Sequence, residues 1–118
     1  METGWKVEFL NDTAEAEFDG LPTEIKAKII RISQLIEQVG VFSVKEPYVR
    51  HLQGKIWEIR ASGKEKVARS LYTTATGKRV LIVRTFVKKT RKTPKREIEI
   101  ALQRIMEFNH GEKTGRQA

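Results

Sequence analysis

The chain has 118 residues, no Cys, 23 Lys or Arg against 15 Asp or Glu, and a formal net charge of +8. That length suits one domain with a modest core, and a hydrophobic fraction of 39% argues against global disorder. The missing Cys excludes disulfides, thiolate zinc sites and Cys nucleophiles, and no apolar run approaches the roughly 18 residues that span a membrane.

The charge is unevenly spread. Residues 1–21 hold six acids against one base, Lys6, so residues 22–118 hold 22 bases against nine acids, a net of +13. Such asymmetry points to nucleic acid or to an acidic protein partner. The start, Met1-Glu2-Thr3-Gly4-Trp5, lacks the basic and apolar regions of a signal peptide, so a cytoplasmic location is expected.

Trp5 to Leu10 alternates, with Trp5, Val7 and Phe9 on one face, which predicts a half-buried first strand. Asn11-Asp12-Thr13 can cap a short helix that ends at Gly20, with Ala14, Phe18 and Leu21 as its apolar contacts. Pro22 opens a longer helix to about Val39. Leu21, Ile25, Ile29, Ile32, Leu35 or Ile36 and Val39 form its core stripe, Lys26, Lys28 and Arg31 its solvated side, and Gly40 its stop. The two helices are expected to form a hairpin packed on a sheet.

Val41 to Pro47 reads as a loop, and Tyr48 to Leu52 as a stretch able to extend. Gln53-Gly54-Lys55 turns into a strand at 56–60, Ser62-Gly63-Lys64 into one from Lys66 to Tyr72, and Thr76-Gly77-Lys78 into one at 80–88. Three strands on short turns predict an antiparallel meander. Thr93 and Pro94 fit the cap and first position of a last helix carrying Ile98, Ala101, Leu102, Ile105 and Met106. The order is β-α-α-β-β-β-α. It describes an α+β fold in which an N-terminal helical hairpin packs on an antiparallel sheet with a C-terminal helix. One domain is expected over residues 1–109, with a flexible tail at 110–118.

Two His, no HxxxH pair, no phosphate-binding P-loop and no GxGxxG leave little for metal or nucleotide chemistry. What remains is basic and aromatic. Arg84 to Arg96 holds seven Lys or Arg and no acid. Arg84, Phe86 and Lys88 share a face by alternation, and adjacent strands can bring Arg60 and Arg69 to it. Such a cluster suits RNA cleavage without a metal, since the 2′-hydroxyl can attack the neighbouring phosphate once it is held in line and its charge is stabilised. A Lys crowded by cations can exchange protons near neutral pH, and Tyr72 or Phe86 can stack on a base. The competing reading makes Tyr72 and Phe86 core residues and the bases a solvated edge.

Trp57-Glu58-Ile59-Arg60, Arg69-Ser70-Leu71-Tyr72, Phe86-Val87-Lys88-Lys89-Thr90 and Lys92-Thr93-Pro94-Lys95-Arg96-Glu97-Ile98 occur in the order found in phage-derived Gp49-like, HigB-type toxins of the RelE/ParE superfamily. The chain resembles them from about Trp5 to Phe108. The resemblance implies a ribosome-dependent mRNA interferase that inhibits translation without a cofactor. It also implies a cognate antitoxin, usually a helix-turn-helix protein of the HigA type, held in a hetero-oligomer. Carried over by position, the catalytic candidates are Arg60, Arg69, Tyr72, Arg84, Lys88 and Lys89. Phe86 and the cations Lys55, Arg91, Lys92, Lys95 and Arg96 are candidates for holding RNA. Relatives often place His where this chain has Arg84, which would shift a proton-transfer role to a Lys or to Tyr72. The alternatives are a ParE-like poison of DNA gyrase and a non-catalytic RNA-binding protein of phage origin.

Overall fold

A computed structural model describes residues 3–88 and 92–113. The strand β1 (Lys6–Phe9) leads into helices α1 (Asp12–Asp19) and α2 (Thr23–Val39). Then follow β2 (Val49–Gln53), β3 (Ile56–Ser62), β4 (Val67–Ala75), β5 (Arg79–Lys88) and α3 (Lys95–Lys113). Asn11 caps α1 as expected, its side-chain oxygen accepting a 2.9 Å hydrogen bond from the Ala14 N–H. The α2 stripe buries Ile25, Ile29, Ile32 and Ile36, while Val39 lies exposed at its end.

The five strands run in the order β1-β5-β4-β3-β2. Two features differ from the expected meander. The stretch after Tyr48 is a strand, β2, pairing antiparallel with β3 along the far edge. β1 pairs parallel with β5 on the opposite edge, so the sheet is mixed. The helical hairpin carries the chain across the whole sheet between β1 and β2, a crossover that leaves β1 parallel to its neighbour.

One side of the sheet packs on α1 and α2 through Ile59, Ala61, Ala68, Tyr72, Val80 and Ile82. The other packs on α3 through Ile56, Leu71, Leu81, Val83 and Phe86, against Ala101 and the half-buried Ile98, Ile105 and Phe108. Buried on both faces, β5 reads as a continuous apolar run. Its alternation is broken at Val83. Leu71 lies opposite Arg84 and Tyr72 opposite Ile82, so Val83 is an extra residue in the ladder. The bulge moves Arg84, Phe86 and Lys88 off the face of Ile82 and onto the α3 side.

The tail expected from His110 is helical as far as Lys113, and residues 114–118 lie outside the described residues. Among the described residues no helix is long and apolar enough to cross a membrane.

Candidate functional site

On the α3 face, Ile56 of β3, Leu71 of β4 and Leu81 and Val83 of β5 join the apolar cluster around Ala101, and polar residues take over further along the strands, where β3 ends and β4 begins. Strand register sets them out in a diagonal row. Arg50 of β2 is opposite Glu58 of β3. Arg60 of β3 is opposite Arg69 of β4. Arg69 is opposite Phe86, and Lys88 follows one step along β5. Residues opposite one another on neighbouring strands stand roughly 5 Å apart, so four cations from four strands converge.

Glu58 lies beneath them, 1% exposed. Its Oε1 accepts a 2.6 Å hydrogen bond from the Thr93 hydroxyl. Arg69 Nε stands 3.6 Å from that same oxygen, and Arg60 Nε 3.8 Å from Oε2. These are ion-pair distances beyond hydrogen-bond range, and both Nε atoms are buried without a hydrogen-bond partner among the described residues. The Arg69 guanidinium also donates to the Ala68 carbonyl at 3.1 Å. Buried carboxylates need cationic or hydrogen-bonding partners, and Glu58 has both.

The acid does not balance the bases. Among the described residues named here, four cations against one carboxylate leave a formal excess of three positive charges. Burial lowers the pKa of Arg69, Glu58 opposes that, and the Arg60 and Arg50 charges lower it further. Lys88, 7% exposed, is likewise lowered by burial first, then by the Arg69 charge, with Glu58 opposing. Like charges directly opposite on adjacent strands destabilise a sheet. A scaffold with no use for that repulsion would dilute it, whereas a bound polyanion relieves it.

The structure thus brings Arg60, Arg69 and Lys88 together. It places the other candidates elsewhere. Tyr72 is three residues from Arg69 and so projects from the opposite face; it sits 1% exposed on the helical-hairpin side, where burial pushes its phenol pKa up. Arg84 shares the α3 face but its guanidinium is committed. Its Nε donates to Glu97 at 2.6 Å and its terminal nitrogen to Glu17 at 2.6 Å. Burial alone would lower the Arg84 pKa, and those two acids raise it instead. Phe86 is buried under α3. Lys55 occupies the β2–β3 turn, five residues and about 16 Å along the strand from Arg60. Lys92, Lys95 and Arg96 are exposed around the start of α3. Lys89 and Arg91 lie outside the described residues.

Three members of the site were not singled out from sequence: Arg50, Glu58 and Thr93. The signal for Glu58 was an acid within the apolar strand Ile56-Trp57-Glu58-Ile59. Arg50 required β2 to be recognised as a strand, with Val49 buried and Arg50 on the reverse side. Thr93 looked like a helix cap, but α3 begins at Lys95, with the N–H groups of Glu97 and Ile98 directed to the Pro94 carbonyl. Its hydroxyl is thereby free to hold Glu58. Among the described residues no group of three or more His, Asp or Glu is placed to hold a metal ion.

A family model described as phage derived protein Gp49-like matches residues 16–106. The chain is similar in structure to a chain of the archaeal RelE–RelB complex from Pyrococcus horikoshii OT3, at a TM-score of 0.52 and 18% identity, covering 70% of this chain and 93% of that one. At that identity the likeness is one of fold. No curated protein matches.

Proposed function

The chain belongs to the phage-derived Gp49-like family and has a RelE-like α+β fold, and from that premise we propose that it is the toxin of a toxin–antitoxin pair. Its activity is ribosome-dependent endonucleolytic cleavage of mRNA, in the cytoplasm, without a metal. The observation that carries this reading is the row Arg50, Arg60, Arg69 and Lys88 around buried Glu58. The solved RelE–RelB assembly supports a cognate antitoxin for this chain, and resemblance to HigB-type toxins favours a helix-turn-helix protein in a hetero-oligomer.

In the proposed reaction, Arg50, Arg60 and Arg69 bind the non-bridging oxygens of the scissile phosphate. Glu58, held by Thr93, positions the Arg60 and Arg69 forks. Lys88, in its neutral form, takes the proton of the 2′-hydroxyl, whose oxygen attacks phosphorus. The bond from phosphorus to the 5′-oxygen breaks, and water protonates the departing oxygen. The products are a 2′,3′-cyclic phosphate and a 5′-hydroxyl. The depressed Lys88 pKa supports this role, since it enlarges the neutral fraction near pH 7.

Two measurements test it. Mapping the 3′ ends of fragments released from a translated mRNA should find cyclic phosphates; ends bearing a free 3′-hydroxyl would overturn the mechanism. Lys88→Arg keeps the charge but cannot deprotonate, so single-turnover cleavage should fall by about 10²–10⁴-fold. The wild-type rate should rise with pH and level off below 10.5, the ordinary Lys value, because only the neutral amine acts. Cleavage by Lys88→Arg at the wild-type rate would remove Lys88 from proton transfer.

A further inference from the structure

Arg60 has a second set of neighbours. β2 opens beside it, and the Arg60 N–H donates a 2.9 Å hydrogen bond to the Tyr48 carbonyl, fixing Tyr48 against the end of the basic row. Between this edge and α2 runs a groove of about 330 Å³, within the usual size range of ligand sites. Lys28, Arg31, Tyr48 and Arg60 line it over an apolar floor that includes Ile32 and Ala61. No carboxylate lines it among the described residues. Lys28 and Arg31 are one turn apart on α2 and therefore share a face. The Lys28 ammonium is steadied by donating to the Ser62 carbonyl, which leaves its other protons free. Tyr48 is 49% exposed, which leaves part of its ring open to solvent beside these cations.

We propose that this groove is a nucleotide subsite for single-stranded RNA, in which Tyr48 stacks on a base adjoining the scissile bond while Lys28 and Arg31 hold the next backbone phosphate. A sequence-tolerant platform of this kind needs an exposed aromatic face beside cations that track the backbone, and the groove supplies both. Arg60 is shared with the proposed reaction centre, so a strand laid across Arg69 and Lys88 turns round the sheet edge at Arg60 and enters the groove. Lys28 and Arg31 then bind substrate in addition to keeping α2 soluble. The inference rests on the proposed function, since it extends the same RNA path.

The test uses the isolated full-length protein and a fluorescein-labelled RNA dodecamer read by anisotropy over a range of salt. Tyr48→Ala should weaken binding about 5- to 100-fold, with Tyr48→Phe close to wild type, because stacking needs the ring and not the hydroxyl. Tyr48→Ala should leave binding of heparin, which has charge but no bases, unchanged. Lys28→Gln with Arg31→Gln should flatten the plot of log affinity against log salt by about 0.7, the value expected for loss of one phosphate contact on a single strand. Arg31→Gln alone, which keeps the Lys28–Ser62 contact, should flatten it by about half that. Equal binding and equal salt dependence in all these variants, or absence of saturable RNA binding by the wild type, would overturn the subsite. So would variants that lose only the antitoxin. RNA binding that follows these changes in a protein that never cleaves mRNA upholds the subsite and sinks the endonuclease reading; cleavage untouched by them does the reverse.

Discussion

Arg69→Ala is expected to lower the rate of mRNA cleavage by about 10²–10³-fold, the usual cost of removing one preorganised donor from developing phosphate charge. The substitution should do so in a folded protein. Glu58 keeps the Thr93 hydroxyl and Arg60, and loss of the Arg69 charge relieves repulsion with Arg60 and Lys88. Arg60→Ala should act in the same direction and less than additively with Arg69→Ala, because the two forks lean on one carboxylate. Tyr72→Phe is the matched control on the same strand. Its ring faces the helical hairpin and should leave cleavage within about threefold of wild type, a range that a lost transition-state contact exceeds. Single-turnover rates with ribosomes in excess, alongside thermal melts, separate these effects. A folded Arg69→Ala protein cleaving at the wild-type rate would remove the basic row from the chemistry.

Glu17→Ala should be the most damaging substitution for stability outside the apolar core. Glu17 reaches from α1 to where β1 ends, and its Oε1 accepts from the Thr85 N–H, exposed there on the β5 edge. The same carboxylate takes Arg84 at 2.6 Å and Arg104 of α3 at 2.7 Å. Arg104 also donates to the Val83 carbonyl at the bulge, and Arg84 to Glu97. One acid therefore joins α1, β5 and α3, and its loss leaves two part-buried guanidinium groups without it. A fully buried pair broken in this way costs about 3–5 kcal/mol, and partial exposure reduces that to about 2 kcal/mol. The expected fall in Tm is about 6–12 °C.

The pH dependence of that contribution has a definite sign. Burial raises the Glu17 pKa, but the hydrogen bonds from Arg104 and the Thr85 N–H, with the Arg84 and Arg104 charges, bring it below the ordinary 4.5. A carboxylate with a lowered folded pKa stabilises fully above its unfolded pKa and loses that effect as pH falls through the folded value. The Tm difference between wild type and Glu17→Gln should therefore be constant from pH 7 to about 5.5 and shrink below pH 4.5. A difference that grows on acidification would contradict this account of the cluster.

Much of the fold follows from periodicity. The α2 stripe at three- and four-residue steps, the Asn11 cap and the short turns each state a local preference that tertiary packing reinforces. The parts that do not are those where partners are distant in sequence. Nothing in Lys6–Phe9 says that β1 lies parallel to β5, since that pairing depends on where the hairpin delivers the chain. The extra residue at Val83 sits inside an apolar run with no Gly or polar residue to mark it. It nevertheless decides which face receives Arg84, Phe86 and Lys88.

The candidate site was legible to the same degree. Arg60, Arg69 and Lys88 stand out by charge on strands, and the three-residue step from Arg69 to Tyr72 already separates those two by parity. Arg84 looks equivalent to Lys88 in sequence, and only the positions of Glu17 and Glu97 show that it serves as a structural tie. Glu58 and Arg50 were hidden because an acid in a basic site and a residue in an unassigned strand carry no motif of their own.

The most direct test is primer extension on a single reporter mRNA incubated with wild-type protein or Arg69→Ala, each with and without actively translating ribosomes. The account predicts new 5′ ends within the coding region for wild type with ribosomes, and none without ribosomes or with Arg69→Ala. Intact mRNA with wild-type protein under translation, especially if DNA gyrase supercoiling is inhibited at the same concentration, would contradict it.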